Sequence, residues 1–263
     1  MCTAWFKNLF HKPEMPVYPY GNKILLDFVI GNYPGSENDL YGPPHDQDLA
    51  RLKLTPHMQI RAFRDSEVTR AMFRGACELA FSEAKAGDVI FIHYSGHGTY
   101  VPDIHGDEID GYDEALYLFD GPLLDDDTCA LCKKIPVGVT VLWLLDCCFS
   151  GGGLRDLNDG IISRFVPPKN VELIPHLRIK QVVKSAMNCI VFSACLENET
   201  AADAEINGEF YGAFSFYAFN TFRIDYTYRK WFDQIRSYLP NKNFEQTPTV
   251  EGPDELLDKL VLT

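Results

Sequence analysis

Nowhere does the sequence hold an apolar run of the roughly 18 residues that a membrane helix needs. Its start, Met1 to Phe10, also lacks the longer apolar stretch of a secretory signal. A cytosolic protein with no membrane partner is the expectation. Positive charge is scarce too: 24 Lys and Arg stand against 37 Asp and Glu, a net charge of −13, and the basic residues form no stripe. A phosphate backbone would be repelled, so no nucleic-acid partner is expected. The eight Cys lack the loop-rich spacing of a small secreted domain and lie mostly inside apolar runs. That pattern implies free thiols in a reducing compartment, not a disulfide framework. There is no internal repeat and no low-complexity tract. What is present is a chain of 263 residues that is 46% hydrophobic, enough for a packed core in one large domain or two small ones.

Four short runs rich in branched and aromatic residues, 24–30, 89–94, 139–145 and 189–193, read as buried strands. A fifth, 58–63, reads as a strand nearer one edge. Between the fifth run and residue 89, Val68, Met72, Phe73, Ala76, Leu79, Ala80 and Ala84 recur at helical spacing, and Gly87 is expected to close that helix. Strands that are apolar on both faces and separated by helical segments predict an α/β fold, a mostly parallel sheet flanked by helices on both faces. In such sheets the chemistry gathers beyond the carboxyl ends of the strands. Residues 1–20 hold three Pro and little periodicity, and read as an N-terminal arm. Residues 155–188, with Pro167-Pro168, Pro175 and a concentration of Arg and Lys, read as a long surface connection. The aromatic stretch 210–239 reads as packed helices, because the basic groove of a nucleic-acid stacking platform is missing.

Two of the buried runs end in chemistry. Ile90-Phe91-Ile92-His93-Tyr94 breaks into Ser95-Gly96-His97-Gly98, and Leu142-Trp143-Leu144-Leu145 breaks into Asp146-Cys147-Cys148-Phe149-Ser150-Gly151. A thiol and an imidazole are thereby expected at the same edge of one sheet. An imidazole can take the thiol proton and later return it to a leaving amine. Glycine beside each lets a peptide approach and lets amide N–H groups face a developing oxyanion. Alone, each residue is better explained as ordinary core or loop; together, at two strand ends, they point to a cysteine nucleophile.

These segments resemble the metacaspases, in particular a compact prokaryotic (orthocaspase-like) form. The resemblance rests on Tyr94-Ser95-Gly96-His97-Gly98, on 106–114, on Asp125-Asp126-Asp127 and on Asp146-Cys147-Cys148-Phe149-Ser150-Gly151. It is supported by Gly31-Asn32-Tyr33, by Ser193-Ala194-Cys195 with the following 200–204, and by Gln246-Thr247-Pro248. It implies a single caspase-like peptidase domain over 21–263, divided into a large-subunit-like part 21–155, a connecting segment 156–188 and a small-subunit-like part 189–263. It implies that Cys148 is the nucleophile, that His97 is general base and acid, and that the amides of Gly98 and Cys148 hold the oxyanion, with Cys147 turned into the core. Asp46, Ser95 and Asp146 fall on positions that line the primary specificity pocket. Carboxylates there select Arg or Lys. The implied activity is that of a cysteine endopeptidase acting as a monomer on protein or peptide substrates with Arg or Lys before the scissile bond.

Calcium is implied as a cofactor at Asp113, Asp125, Asp126 and, after a one-residue shift, Asp156, in a region dense in carboxylates that would repel one another without a cation. No helix-loop-helix calcium pattern is present. Cys129 and Cys132 have half a zinc-site spacing with no second pair, and His93 with His97 lacks the helix and Glu of a metalloprotease. The sequence departs from the family at Phe149, where His is usual, at Pro43, where Cys is frequent, and at Asp27, where an apolar residue is expected. Arg164 and Arg178, inside the basic connection, are the expected sites of self-cleavage. The rival reading is a caspase-fold scaffold without catalysis.

Overall fold

The computed structural model describes residues 22–102, 112–149, 161–168, 188–196 and 198–263. Along the chain the first strands are β1 (Lys23–Val29), β2 (Gln59–Arg64), β3 (Val89–Ser95), β4 (His97–Pro102), β5 (Tyr112–Leu118) and β6 (Gly121–Leu124). They are followed by β7 (Thr140–Asp146), β8 (Ile161–Ser163), β9 (Ile190–Ser193), β10 (Ala202–Ile206), β11 (Glu209–Gly212) and β12 (Thr249–Glu251). The helices are α1 (Gly42–Leu54), α2 (Arg70–Glu83), α3 (Asp125–Cys132), α4 (Ala213–Thr221), α5 (Tyr228–Arg236) and α6 (Asp254–Leu257).

The central sheet has six strands in the order β12-β9-β7-β3-β1-β2, parallel except for β12. Successive side chains of a strand point to opposite faces, so the inner strands β1, β3, β7 and β9 feed two cores at once. Leu26, Phe28, Ile90, Ile92, Trp143 and Leu145 fill one core. Leu25, Phe91, Leu142 and Leu144 fill the other. Phe73, Ala76, Cys77, Ala80 and Phe81 of α2, with Leu131 and Cys132 of α3, cover the first core. The second is covered by α1, α4 and α5 through residues such as Leu54, Phe214, Phe219 and Trp231. This is the α/β architecture expected, with helices on both faces. The aromatic stretch 210–239 opens on β11 with Phe210 and Tyr211 and then forms α4 and α5, whose Phe214, Phe219, Tyr228 and Trp231 pack inward, while Tyr238 beyond them is half exposed.

α2 joins β2 to β3 and so passes over β1. It starts at Thr69, whose side chain accepts the Met72 N–H at 3.2 Å, a cap worth about 1 kcal/mol. It ends at Glu83, earlier than Gly87 implied: Ala84 is already extended, and Gly87, at φ +91°, makes the turn into β3 instead. Two small antiparallel sheets, β4-β5-β6 and β8-β10-β11, flank the carboxyl edge of the central sheet. No helix among the described residues is long and apolar enough to cross a membrane.

Candidate active site

β3 and β7 are neighbours with Ser95 opposite Asp146, so the residues that follow them leave the sheet side by side. His97 opens β4 two residues after Ser95, and Cys148 follows Asp146 by two. Cys147 joins one core and Cys148 the other, as expected for adjacent residues on an extended strand end. The backbone N–H of His97 donates to the Tyr33 hydroxyl at 2.8 Å, and the two rings lie 5.0 Å apart. His97 Nε2 lies 2.9 Å from the carbonyl oxygen of Asn38. A carbonyl can only accept, so Nε2 carries the proton and Nδ1 keeps its lone pair. Nδ1 is buried and has no hydrogen-bond partner among the described residues.

Burial pushes the His97 pKa down to about 4, against the opposing pull of the Asn38 and Arg164 carbonyls. Burial likewise pushes the Cys148 thiol up to about 12, eased by the Ala201 backbone and by Ser163, whose hydroxyl lies 3.9 Å from Sγ. At neutral pH both groups are uncharged. The site rests as a thiol and an imidazole, not as an ion pair.

What buries them is the chain itself. Residues 161–166 were expected on a surface connection, and the structure corrects this: Arg164 is 0% exposed. Ile161, Ile162 and Ser163 pair antiparallel with Ala204, Asp203 and Ala202 of β10, and the Arg164 N–H donates to the Ala201 carbonyl at 3.1 Å. The Arg164 side chain then enters a closed acidic pocket. Its Nη2 lies 2.9 Å from Asp46 Oδ2 and 3.0 Å from Asp203 Oδ1. Its Nη1 donates to Ser95 Oγ at 2.8 Å and to the Asp146 carbonyl at 3.0 Å, with Asp146 Oδ2 at 3.4 Å. Leaving water costs an ion several kcal/mol, and here three carboxylates and a hydroxyl replace the hydration of one guanidinium.

The carbonyl of this same residue receives both backbone amides named from the sequence: Gly98 N at 3.0 Å and Cys148 N at 3.2 Å. Two donors on one carbonyl oxygen are the geometry that stabilises an oxyanion. Side chains are kept away from this passage. A Cβ on Gly98 would collide with the Cys148 carbonyl, and one on Gly212 with the Asp146 carboxylate and the Arg164 guanidinium. The Gly212 N–H instead donates to Asp46 Oδ1 at 3.0 Å. Burial and the nearby Asp146 carboxylate push the Asp46 pKa upward to about 7, with Arg164 pulling it down.

The structure thus brings together His97, Gly98, Cys148, Asp46, Ser95 and Asp146 around one arginine. Three contributors went unassigned in the sequence. Asp203 accepts the Tyr41 N–H at 2.8 Å and the Gly42 N–H at 2.9 Å and completes the pocket. Asn38 and Tyr33 orient His97. The signals existed, since Gly31-Asn32-Tyr33 and 200–204 are among the segments that carry the resemblance. Asp113 lies buried on β5 and Asp125 and Asp126 begin α3; with Ala115 opposite Leu124, they share one end of the β5–β6 ladder. Asp156 and Arg178 lie outside the described residues. Among the described residues no group of three or more His, Cys, Asp or Glu side chains could hold a metal ion.

A sheet of this topology, with a thiol and an imidazole at the ends of adjacent strands, is that of the caspase fold, and the profile of the caspase domain matches residues 25–257. The chain belongs to the caspase-domain peptidase family. Among its relatives, Metacaspase-1 of Schizosaccharomyces pombe is 30% identical over 228 residues, 68% of this chain and 53% of that protein. Metacaspase-7 of Arabidopsis thaliana is 33% identical over 149 residues, 51% of this chain and 36% of that protein. The chain spans about half the length of the first metacaspase and about a third of the second. In fold it is similar to a protein from Geobacter sulfurreducens, with a TM-score of 0.69, 23% identity, and coverage of 92% of this chain and 98% of that one. Caspase-1 from Spodoptera frugiperda superposes with a TM-score of 0.59 at 13% identity, over 92% and 88% of the two chains.

Proposed function

We propose that this chain is a metacaspase-type cysteine endopeptidase that cleaves after arginine, and that it first cleaves itself between Arg164 and Phe165. The observation that carries this reading is the seat of Arg164, with its guanidinium among Asp46, Asp146, Asp203 and Ser95 and its carbonyl on the Gly98 and Cys148 amides. In the reaction the Cys148 proton passes to His97 Nδ1 as sulfur bonds to the Arg164 carbonyl carbon. The carbonyl electron pair moves onto the oxygen held by the two amides. The C–N bond then breaks, and His97 returns the proton to the Phe165 nitrogen. Water, deprotonated by His97, releases the thioester as a carboxylate and restores the thiol.

Lysine fits the charge of the pocket but not its shape. A guanidinium places two nitrogens on four acceptors at once, whereas an ammonium is a single point. Calcium is proposed from the resemblance alone: Asp113, Asp125 and Asp126 do not by themselves form a group that could hold a metal ion, the fourth position, Asp156, lies outside the described residues, and no step above passes through the ion.

The test is a time course of intact mass for the wild type and Cys148→Ala, in calcium and in excess chelator. Fragments 1–164 and 165–263 should accumulate in the wild type and be absent in Cys148→Ala. The cleaved enzyme should hydrolyse a short Arg-ended fluorogenic peptide at least tenfold faster than the Lys-ended one. Absence of the Arg164–Phe165 cut in calcium would overturn the reading, as would equal cleavage after Asp. Equal rates in chelator would remove calcium alone.

A further inference from the structure

The resting contacts of Arg164 continue beyond its carbonyl. Phe165 bridges Gly98 in parallel, the Val166 N–H donates to the Gly98 carbonyl at 3.0 Å, and Thr99 Oγ1 donates to the Val166 carbonyl at 2.7 Å. Phe165 stacks on Tyr100 with ring centroids 5.7 Å apart and an interplanar angle of 27°, and Tyr100 meets Tyr112 edge-on at 5.2 Å. Phe165 is 9% exposed and Val166 7%. Both side chains after the arginine are therefore buried, Phe165 on the ring of Tyr100, while the Val166 backbone is tied to Gly98 and Thr99 of β4 like a strand.

We propose that the enzyme reads the two residues after the scissile bond, selecting an aromatic residue first and an apolar residue second, on a subsite formed by Gly98, Thr99 and Tyr100. The inference rests on the reading that the Arg164–Phe165 bond is cleaved. Aromatic stacking supplies orientation beyond mere area, and the hydrogen bonds to Val166 fix the leaving strand so that the amide nitrogen departs from a defined place. Acidic residues are disfavoured at the first position. They would be desolvated there, and Glu114, 2% exposed, stands opposite Tyr100 in the β4–β5 register. A glycine would lose the stacking without repulsion. The subsite thus narrows the substrate class from chains containing arginine to those with Arg followed by an aromatic and an apolar residue.

The experiment has two arms. In the chain itself, Phe165→Tyr and Phe165→Asp are compared with wild type for the rate of the cut after Arg164, with melting temperatures recorded. In trans, self-cleaved wild-type enzyme receives internally quenched peptides of the sequence 161–168 carrying Phe, Tyr, Gly or Asp after Arg, plus one in which Arg is replaced by Asp. The Tyr forms are expected within about threefold of Phe, and the Gly and Asp forms at least tenfold lower in kcat/KM. Should Phe165→Asp fail to fold, the peptides decide. Equal kcat/KM for the Phe, Gly and Asp peptides, with the Arg-lacking peptide uncut, would overturn the subsite and leave the arginine reading standing. No cleavage after Arg in any peptide or in the chain would overturn both.

Discussion

A carboxylate stands fully buried in the middle of β1, where an ionised group needs hydrogen bonds to replace its hydration. Asp27 finds one through register: its partner on β3 is His93, whose Nδ1 lies 2.8 Å from Asp27 Oδ1 and whose Nε2 lies 3.1 Å from Ser215 Oγ, while Asp27 Oδ2 has no hydrogen-bond partner among the described residues. The Ser215 N–H in turn donates to Asp146 Oδ2 at 2.8 Å, so this buried line ends on the wall of the arginine pocket. Removing one partner of such a pair strands the other, at about 3–5 kcal/mol, whereas replacing both by apolar residues is close to neutral. Asp27→Leu in a Cys148→Ala background should therefore lose about that much in urea unfolding, and adding His93→Phe should recover most of it. Additive losses would show that the two side chains are not coupled. In sequence Asp27 was legible only as an apolar position gone wrong, because its partner is 66 residues away and only strand pairing joins them. Asp203 was hidden for a similar reason: an Asp between alanines reads as a solvated strand residue, and its guanidinium lies 39 residues upstream.

At the level of elements, β1, β3 and β7 were legible because burial on both faces demands long apolar runs, broken inside only by Asp27 of β1 and His93 of β3, a demand that composition alone reveals. The short strands were not. β8 has only three residues, and it is a strand because β10 offers it an edge. The segment around it misled for a physical reason: Arg and Lys ordinarily seek water, so a basic stretch between two strands reads as surface. Arg164 is buried because three carboxylates stood where the sequence had named two. Its seating has a consequence for reactivity. With burial pushing the thiol up to about 12, the thiolate fraction of Cys148 at neutral pH lies far below that of an ordinary cysteine. In a partly self-cleaved sample, iodoacetamide should label Cys148 slowly in the intact species, rising about tenfold per pH unit to beyond pH 10. Where cleavage has let the segment leave, labelling should be faster. Identical rates and pH profiles in intact and cleaved species would mean that residues 161–166 do not govern the thiol.

Across the whole molecule, a cut after Arg164 would divide the chain without dividing the fold. Strands β1 to β8 would fall on one fragment and β9 to β12 on the other, yet β7 pairs with β9 from Leu142–Ile190 to Leu145–Ser193, in the middle of the central sheet. The second core is shared in the same way. Leu25, Phe91 and Leu142 of one fragment pack with Phe192, Phe214 and Trp231 of the other, and the rings of Phe91 and Trp231 stack with centroids 6.0 Å apart. An interface that amounts to half of a hydrophobic core belongs to the obligate kind. Self-cleaved protein should therefore run in native size exclusion as one particle containing both masses, and separate only in denaturant. Linkage supplies a sharper check: once unfolding releases two chains, mass action makes the apparent urea midpoint rise with protein concentration. The uncleaved Cys148→Ala chain should show no such dependence. Fragments that elute apart in native buffer, or a midpoint independent of concentration after complete cleavage, would contradict a core shared across the cut.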